Sequence, residues 1–179
     1  VTHRQAQGEK TETVWQGKYL EVHKRGRWEY VSRTHGVSAA VILAVDEGHV
    51  ILVEQYRVPL GAQSLELPAG LVGDAGDGEE AEAAALRELE EETGYRAERM
   101  IDLGRFHASP GMSSESFILM RAEGLVKVGD GGGVDGENIL VHRAPVSEVA
   151  EFVERKRGEG VEIDAKILLL LGNPFLQSC

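Results

Sequence analysis

The sequence predicts an α+β or α/β/α layered single domain built on a mixed sheet, and three observations carry that expectation. Short apolar runs with β-branched residues dominate the chain up to Gly70. One stretch rich in Ala, Leu, Glu and Arg, residues 79–93, then interrupts them. Further strand-like runs follow, and two helical patterns end the series. Repeated βαβ units would alternate strand and helix throughout, and this order does not. A length of 179 residues, 42% of them apolar, suits one domain with a sizeable core.

Each element has its own signal. Residues 12–33 read as two short strands, 13–22 and 28–32, around the turn Lys24-Arg25-Gly26-Arg27. Residues 37–45 (VSAAVILAV) form an apolar run expected to be a buried strand. Asp46-Glu47-Gly48 is a turn, and 49–55 completes a hairpin. Residues 66–70 look irregular and lead into a Gly/Asp loop at 73–78. Residues 79–93 are good helix formers, and Gly94 stands where a left-handed cap ends a helix. Strands are expected at 100–106, 116–122 and 139–142, with a flexible glycine loop at 129–136. An amphipathic helix at 146–157 and a more buried one at 163–171 follow.

The net charge of −11 argues against a nucleic-acid backbone or an anionic membrane as partner. It leaves a small anionic substrate open, because a bound divalent cation inverts the local field. The single cysteine, Cys179, permits no internal disulfide, so the cytoplasm is the expected compartment. No apolar run approaches the length of a membrane span, and the polar first residues read as neither signal nor anchor.

The chemistry is expected on the helix at 79–93. Glu79, Glu80, Glu82, Glu88, Glu90, Glu91 and Glu92 crowd it. Like charges four residues apart destabilise a helix by roughly 0.2–0.5 kcal/mol each. At about 100° per residue, Glu88, Glu91 and Glu92 share one side with Ala81, Ala84 and Ala85. Small residues there suggest close packing, so these carboxylates border a packed face. Apposed carboxylates in that position want a cation, and oxygen-only ligands select Mg²⁺, Ca²⁺ or Mn²⁺ over zinc. The plain alternative is a solvated acidic face.

The spacing favours the metal. Gly73-x5-Glu79-x7-Arg87-Glu88-Leu89-x-Glu91-Glu92-x-Gly94-Tyr95 resembles the Nudix box, matching eight of its nine fixed positions. Tyr95 stands where the pattern asks for a bulky aliphatic residue, a departure at a packing position. The resemblance implies a Nudix α/β/α sandwich with a mixed central sheet and hydrolysis of a pyrophosphate link. It implies Mg²⁺ as cofactor, with Mn²⁺ able to substitute. Glu88, Glu91 and Glu92 would hold the metal, and Arg87 would orient the site's glutamates.

The flanking residues resemble the ADP-ribose pyrophosphatase branch over roughly residues 20 to 170. Gln55-Tyr56-Arg57-x-Pro59 is similar to the segment before the box, with Arg57 as a phosphate clamp. Glu66-Leu67-Pro68-Ala69-Gly70 is similar to the stretch entering it, where the Ala69 carbonyl would be a metal ligand. Pro110 lies 15 residues past Tyr95, the distance of a substrate marker in that branch. Glu137, in a loop it shares with Asp130 and Asp135, would be general base or metal ligand. Glu115 and Arg33 would touch substrate, and Trp28 would stack on the base, from its own or a partner subunit. The resemblance therefore implies a homodimer with residues 1–35 as a β extension and residues 36–179 as the hydrolase domain. Plainer readings stand beside these: Pro110 as a turn former, Arg57 and Glu115 as surface residues, Trp28 as packing. Other nucleotide sugars (GDP-mannose, a UDP-sugar) and oxidised nucleotides remain open as substrates. A non-catalytic nucleotide sensor fits poorly, because the box is nearly intact. A Ca²⁺ module fits poorly too, because neither Asp/Gly loop shows alternating oxygen-ligand spacing.

Overall fold

The computed structural model describes residues 9–36, 38–73, 79–134 and 136–171. Where the sequence suggests two strands near the start, three form: β1 (Glu12–Gln16), β2 (Leu20–Arg25) and β3 (Trp28–Arg33). The expected run 13–22 is cut by a turn, in which the Gly17 N–H donates to the Leu20 carbonyl at 2.8 Å. The three strands make a separate antiparallel sheet in the order β1-β2-β3. Strand β3 ties it to the remainder. The Val31 N–H donates to the Met112 carbonyl, and the Ser114 N–H to the Val31 carbonyl, both at 2.9 Å. Strand β1 is exposed along its whole length, with Thr13 Oγ1 hydrogen-bonded to His23 Nδ1 at 3.2 Å.

The next strands are β4 (Ala39–Leu43), β5 (Val45–Asp46), β6 (His49–Arg57), β7 (Ala62–Glu66) and β8 (Ala69–Leu71). The β5–β6 hairpin turns at Glu47-Gly48, as the sequence suggests. Strand β7 was not legible, because AQSLE has no β-branched residue. Pairing with β6, from Val53↔Glu66 to Arg57↔Ala62, makes it a strand. Part of the stretch expected to be irregular, 66–70, becomes β8, which pairs antiparallel with β4.

Helix α1 (Ala81–Thr93) follows, then β9 (Tyr95–Arg96), β10 (Arg99–His107), β11 (Ser116–Glu123), β12 (Val126–Lys127) and β13 (Leu140–Pro145). Helix α2 (Val149–Gly158), β14 (Glu162–Ile163) and α3 (Leu168–Leu171) complete the described chain. The helix expected at 163–171 shrinks to a 3₁₀ turn and the short α3. Residue Ile163 is taken by parallel pairing of β14 with β7. Asp164 then caps the turn, accepting from the Lys166 N–H at 2.7 Å.

Two sheets carry the core, β10-β11-β4-β8 and β13-β6-β7-β14, with β5 on β6. Both are mixed: β4 runs parallel to β11 and β14 parallel to β7, and the other pairs are antiparallel. Alternation along β4 sorts the layers. Ala40, Ile42 and Ala44 pack with Ala85 and Leu89 of α1 and with Met100 and Met120. Val41 and Leu43 pack on the opposite side with Leu52, Leu65, Phe152, Val153 and Ile167. Strands buried on both faces between helices are what a continuous apolar run such as VSAAVILAV requires. Each fully buried Leu or Ile stabilises the fold by about 2 kcal/mol before entropy is counted. This sandwich holds α1 against β4 and β8, and that contact sets the site. No helix among the described residues is long and apolar enough to cross a membrane.

Candidate active site

Helix α1 begins at Ala81, two residues later than expected, and ends at Gly94 in the left-handed region (φ 69°). Glu79 therefore precedes the helix and folds back beside it. The Gly73 N–H donates to Glu79 Oε2 at 2.9 Å, and Arg87 Nε donates to Glu79 Oε1 at 3.3 Å. The buried face of α1 carries Ala84, Ala85, Leu89, Glu92 and Thr93. Glu92 thus lies within the packed face, not merely at its border.

Glu92 is 6% exposed. Its Oε2 accepts the Ala69 N–H at 3.0 Å, joining α1 to β8. Glu88 lies flat on the same strand. A Cβ at Gly70 would stand 2.0 Å from the Glu88 carboxyl carbon, so only glycine admits that approach. The Glu92 carboxyl is pushed up to about 8, chiefly by burial. The nearby Glu88 and Glu137 add to the rise, and the Ala69 N–H and Arg57 oppose it. Glu88 also titrates above its ordinary value, first through burial, with Arg87 opposing and Glu91 and Glu137 adding. Glu137, from a distant loop, thus lies close enough for its charge to act on Glu88 and Glu92.

Arg87 binds the outer acids. Its Nη1 donates to Glu88 Oε1 and to Glu91 Oε2, both at 2.9 Å. Burial works against its charge, but Glu79, Glu88 and Glu91 hold it more firmly protonated. Its Nη2 is buried and has no partner among the described residues. The i,i+4 contact with Glu91 and the bonds to Glu79 and Glu88 coexist.

The donor chemistry fits a hard divalent cation. Glu88, Glu91, Glu92 and Glu137 offer only oxygen. A cation beside Glu92 relieves the burial of its charge next to two further carboxylates. Among the described residues, no three acidic side chains converge into a finished cage, since Arg87 draws Glu88 and Glu91 to itself.

Glu137 Oε2 accepts the Val134 N–H at 2.9 Å. Glycines of the loop before it reach the end of α1. The Gly132 and Gly133 N–H groups donate to the Glu92 and Glu91 carbonyls at 2.9 and 3.0 Å. Asp135 lies outside the described residues.

The flanking residues divide into pairs. Arg57 makes a two-pronged contact with Glu66, Nε to Oε1 at 2.8 Å and Nη2 to Oε2 at 2.7 Å. Glu66 is buried. The sequence reading missed this partner, because nothing local links two residues nine apart; they stand on neighbouring strands at opposite ends of the β6–β7 register, and two long side chains span the gap. Arg33 Nε donates to Glu115 Oε1 at 2.7 Å, joining two of the expected substrate residues to each other. Pro110 is exposed in a turn closed by the Met112 N–H on the Ser109 carbonyl at 3.0 Å. Trp28 is 50% exposed, so it is not a core residue of this chain.

Residues 34–168 match the NUDIX domain. The chain belongs to the Nudix family. Nudix hydrolases generally use a divalent metal, in keeping with the oxygen donors above. The chain is 38% identical over 124 residues to the methanol dehydrogenase activator of Bacillus methanolicus. That alignment covers 69% of this chain and 65% of the relative, slightly under two thirds of it. It is 33% identical over 155 residues to the ADP-ribose pyrophosphatase of Bacillus subtilis (strain 168), covering 81% of each. Among solved structures, an ADP compounds hydrolase superposes with a TM-score of 0.70 over 94% of this chain and 92% of that one. At 22% identity this last likeness bears on the fold, and it agrees with the Nudix sandwich.

Proposed function

We propose that the protein hydrolyses the pyrophosphate bond of a nucleoside diphosphate sugar with Mg²⁺, Mn²⁺ serving as substitute. ADP-ribose is the leading substrate, giving AMP and ribose 5-phosphate. The observation that carries this reading is the buried Glu92 of the box, which accepts the Ala69 N–H and feels the charges of Glu88 and Glu137. The resemblance to an ADP-ribose pyrophosphatase along most of both chains supports the substrate.

In this reading Glu88, Glu91, Glu92, Glu137 and the Ala69 carbonyl hold the metal. When bound, the cation neutralises phosphate charge and makes water a better nucleophile near neutral pH. Arg87 keeps Glu79, Glu88 and Glu91 aimed by charged hydrogen bonds. Glu137 takes the proton of the attacking water, with Glu91 as the nearby alternative on α1. Arg57, its plane fixed by Glu66, presents its guanidinium to a phosphate. Pro110 shapes the substrate loop, and the Arg33–Glu115 pair lines it.

Trp28 stacks on the base. Its exposure supports that role, and so does the exposure of Val14, Trp15 and Leu20 on the same sheet and of Tyr19 in the turn between its first two strands. Such a surface suits cover by a second subunit, which makes a homodimer built through residues 1–35 our expectation. The NUDIX match beginning at residue 34 agrees with a hydrolase domain over residues 36–179. One cysteine in 179 residues suits the reducing cytoplasm.

Product analysis tests the reaction. ADP-ribose, GDP-mannose, UDP-glucose and a nucleoside triphosphate are each incubated with Mg²⁺ and with EDTA. AMP and ribose 5-phosphate from ADP-ribose alone, stopped by EDTA, support the whole reading. Preference for another member keeps the reaction and discards the branch. No turnover with any metal discards the enzyme. Trp28→Ala tests stacking: KM is expected to rise about tenfold with kcat nearly constant. An unchanged KM would remove Trp28 from the substrate.

A further inference from the structure

The C-terminal end of α1 is satisfied almost entirely by one later segment. A helix leaves its last carbonyls without partners inside the helix, and when shielded from water they need donors from elsewhere. Here the Glu91 carbonyl accepts from the Gly133 N–H at 3.0 Å and the Glu92 carbonyl from the Gly132 N–H at 2.9 Å. Thr93 O accepts from Lys127 Nζ at 2.8 Å. Gly94 O accepts the Val128 and Gly129 N–H groups at 2.8 and 3.1 Å. The Lys127 ammonium, set against the negative end of the helix dipole, also lies 4.6 Å from the centre of the Tyr95 ring.

The approach is too close for side chains. Gly131 has φ +75°, and a Cβ there would stand 2.5 Å from the Glu92 carbonyl oxygen. The obstacle is backbone and cannot swing aside. Beyond the contact, the Ile139 N–H returns to the Gly132 carbonyl at 3.0 Å, so the arm bearing Glu137 springs from a fixed base.

We infer that residues 127–133 are a latch on α1, through which Lys127 and Gly131 act as positioning residues, registering Glu137 against Glu91 and Glu92. The two carbonyls gripped by the latch belong to the same residues whose side chains bear the site. A rotation of α1 and a shift of the loop are therefore coupled, and Glu137 follows both. This rests on the role given to Glu137 under Proposed function.

The test uses the full chain, Mg²⁺ and the preferred substrate of the panel. Lys127→Met keeps the stem and removes the ammonium. It is expected to lower kcat about tenfold at constant KM, as for a misplaced catalytic group. Lys127→Arg restores turnover. Made on top of Glu137→Gln, Lys127→Met adds no further loss, because both changes act on one group. Hydrogen exchange at the Gly132 and Gly133 amides speeds up in Lys127→Met while core amides stay protected. Unchanged kcat in Lys127→Met overturns the inference, as does an equal loss in the Glu137→Gln background. Wild-type turnover in Glu137→Gln itself would remove Glu137 from the reaction, a failure of the earlier reading. In that case kcat no longer bears on the latch and amide exchange alone judges it: unchanged protection at Gly132 and Gly133 in Lys127→Met overturns it, and lost protection supports it.

Discussion

Glu92→Gln is expected to lower turnover by about a hundredfold or more while leaving the fold intact. The amide has the shape of the carboxylate, and its oxygen still accepts the Ala69 N–H that now holds Glu92 at 3.0 Å. What disappears is one negative charge in a buried position beside Glu88 and Glu137. Glu91→Gln is expected to act in the same direction and also to weaken the bond from Arg87. Glu90 supplies the control on the same helix. It points away to an exposed pair with Arg96, and Glu90→Gln is expected to change kcat less than twofold. Steady-state kinetics with Mg²⁺ titrations would show the pattern. Near-normal activity in both Glu91→Gln and Glu92→Gln would contradict the metal assignment.

The second large effect is on stability against pH in EDTA. Folded Glu92 titrates at about 8, against 4.5 for the unperturbed group. The folded state thus binds this proton more tightly than the unfolded chain does. Between pH 4.5 and about 8 the unfolded chain ionises first, so stability falls as pH rises through that window. The loss from this group is at most on the order of 5 kcal/mol. Glu88, raised in the same direction by burial, adds to the slope. Glu54 acts elsewhere on the scale. Burial opposes its ionisation, yet the bonds from Lys156 and His142 hold it below 4.5, so its stabilisation is lost only in more acid solution. Calorimetry at pH 5 and pH 8 would measure the difference. The wild type is expected to lose Tm between them and Glu92→Gln to lose much less, becoming the more stable protein at pH 8. An identical slope in both proteins would assign it to another group. Excess divalent cation is expected to flatten the wild-type slope, since binding requires the ionised carboxylate. A variant that gains stability and loses activity is what a residue kept for chemistry should give.

Much of this was legible in the chain. The apolar alternation of residues 37–45, the helix formers before Gly94 and the spacing of Arg87, Glu88, Glu91 and Glu92 are local patterns. Local patterns follow from the fixed periods of strand and helix. They were enough to foresee the layered fold, the acidic face and the family. The turn at Gly17 and the strand β7 were hidden, because both depend on pairing partners and not on composition. The glycine loop was expected to be flexible on composition, since glycine has the largest conformational entropy to lose. What composition did not show is that Gly129, Gly132 and Gly133 supply donors to the carbonyls at the end of α1. Likewise Glu66 behind Arg57, and Lys127 on Thr93, are partners 9 and 34 residues away in sequence. The sequence by itself carried the Nudix box and so determined the family. Only the tertiary structure decided that Glu92 is buried and that the glycines before Glu137 meet the end of α1. Burial and electrostatic proximity are properties of packed surfaces, and no spacing along the chain encodes them.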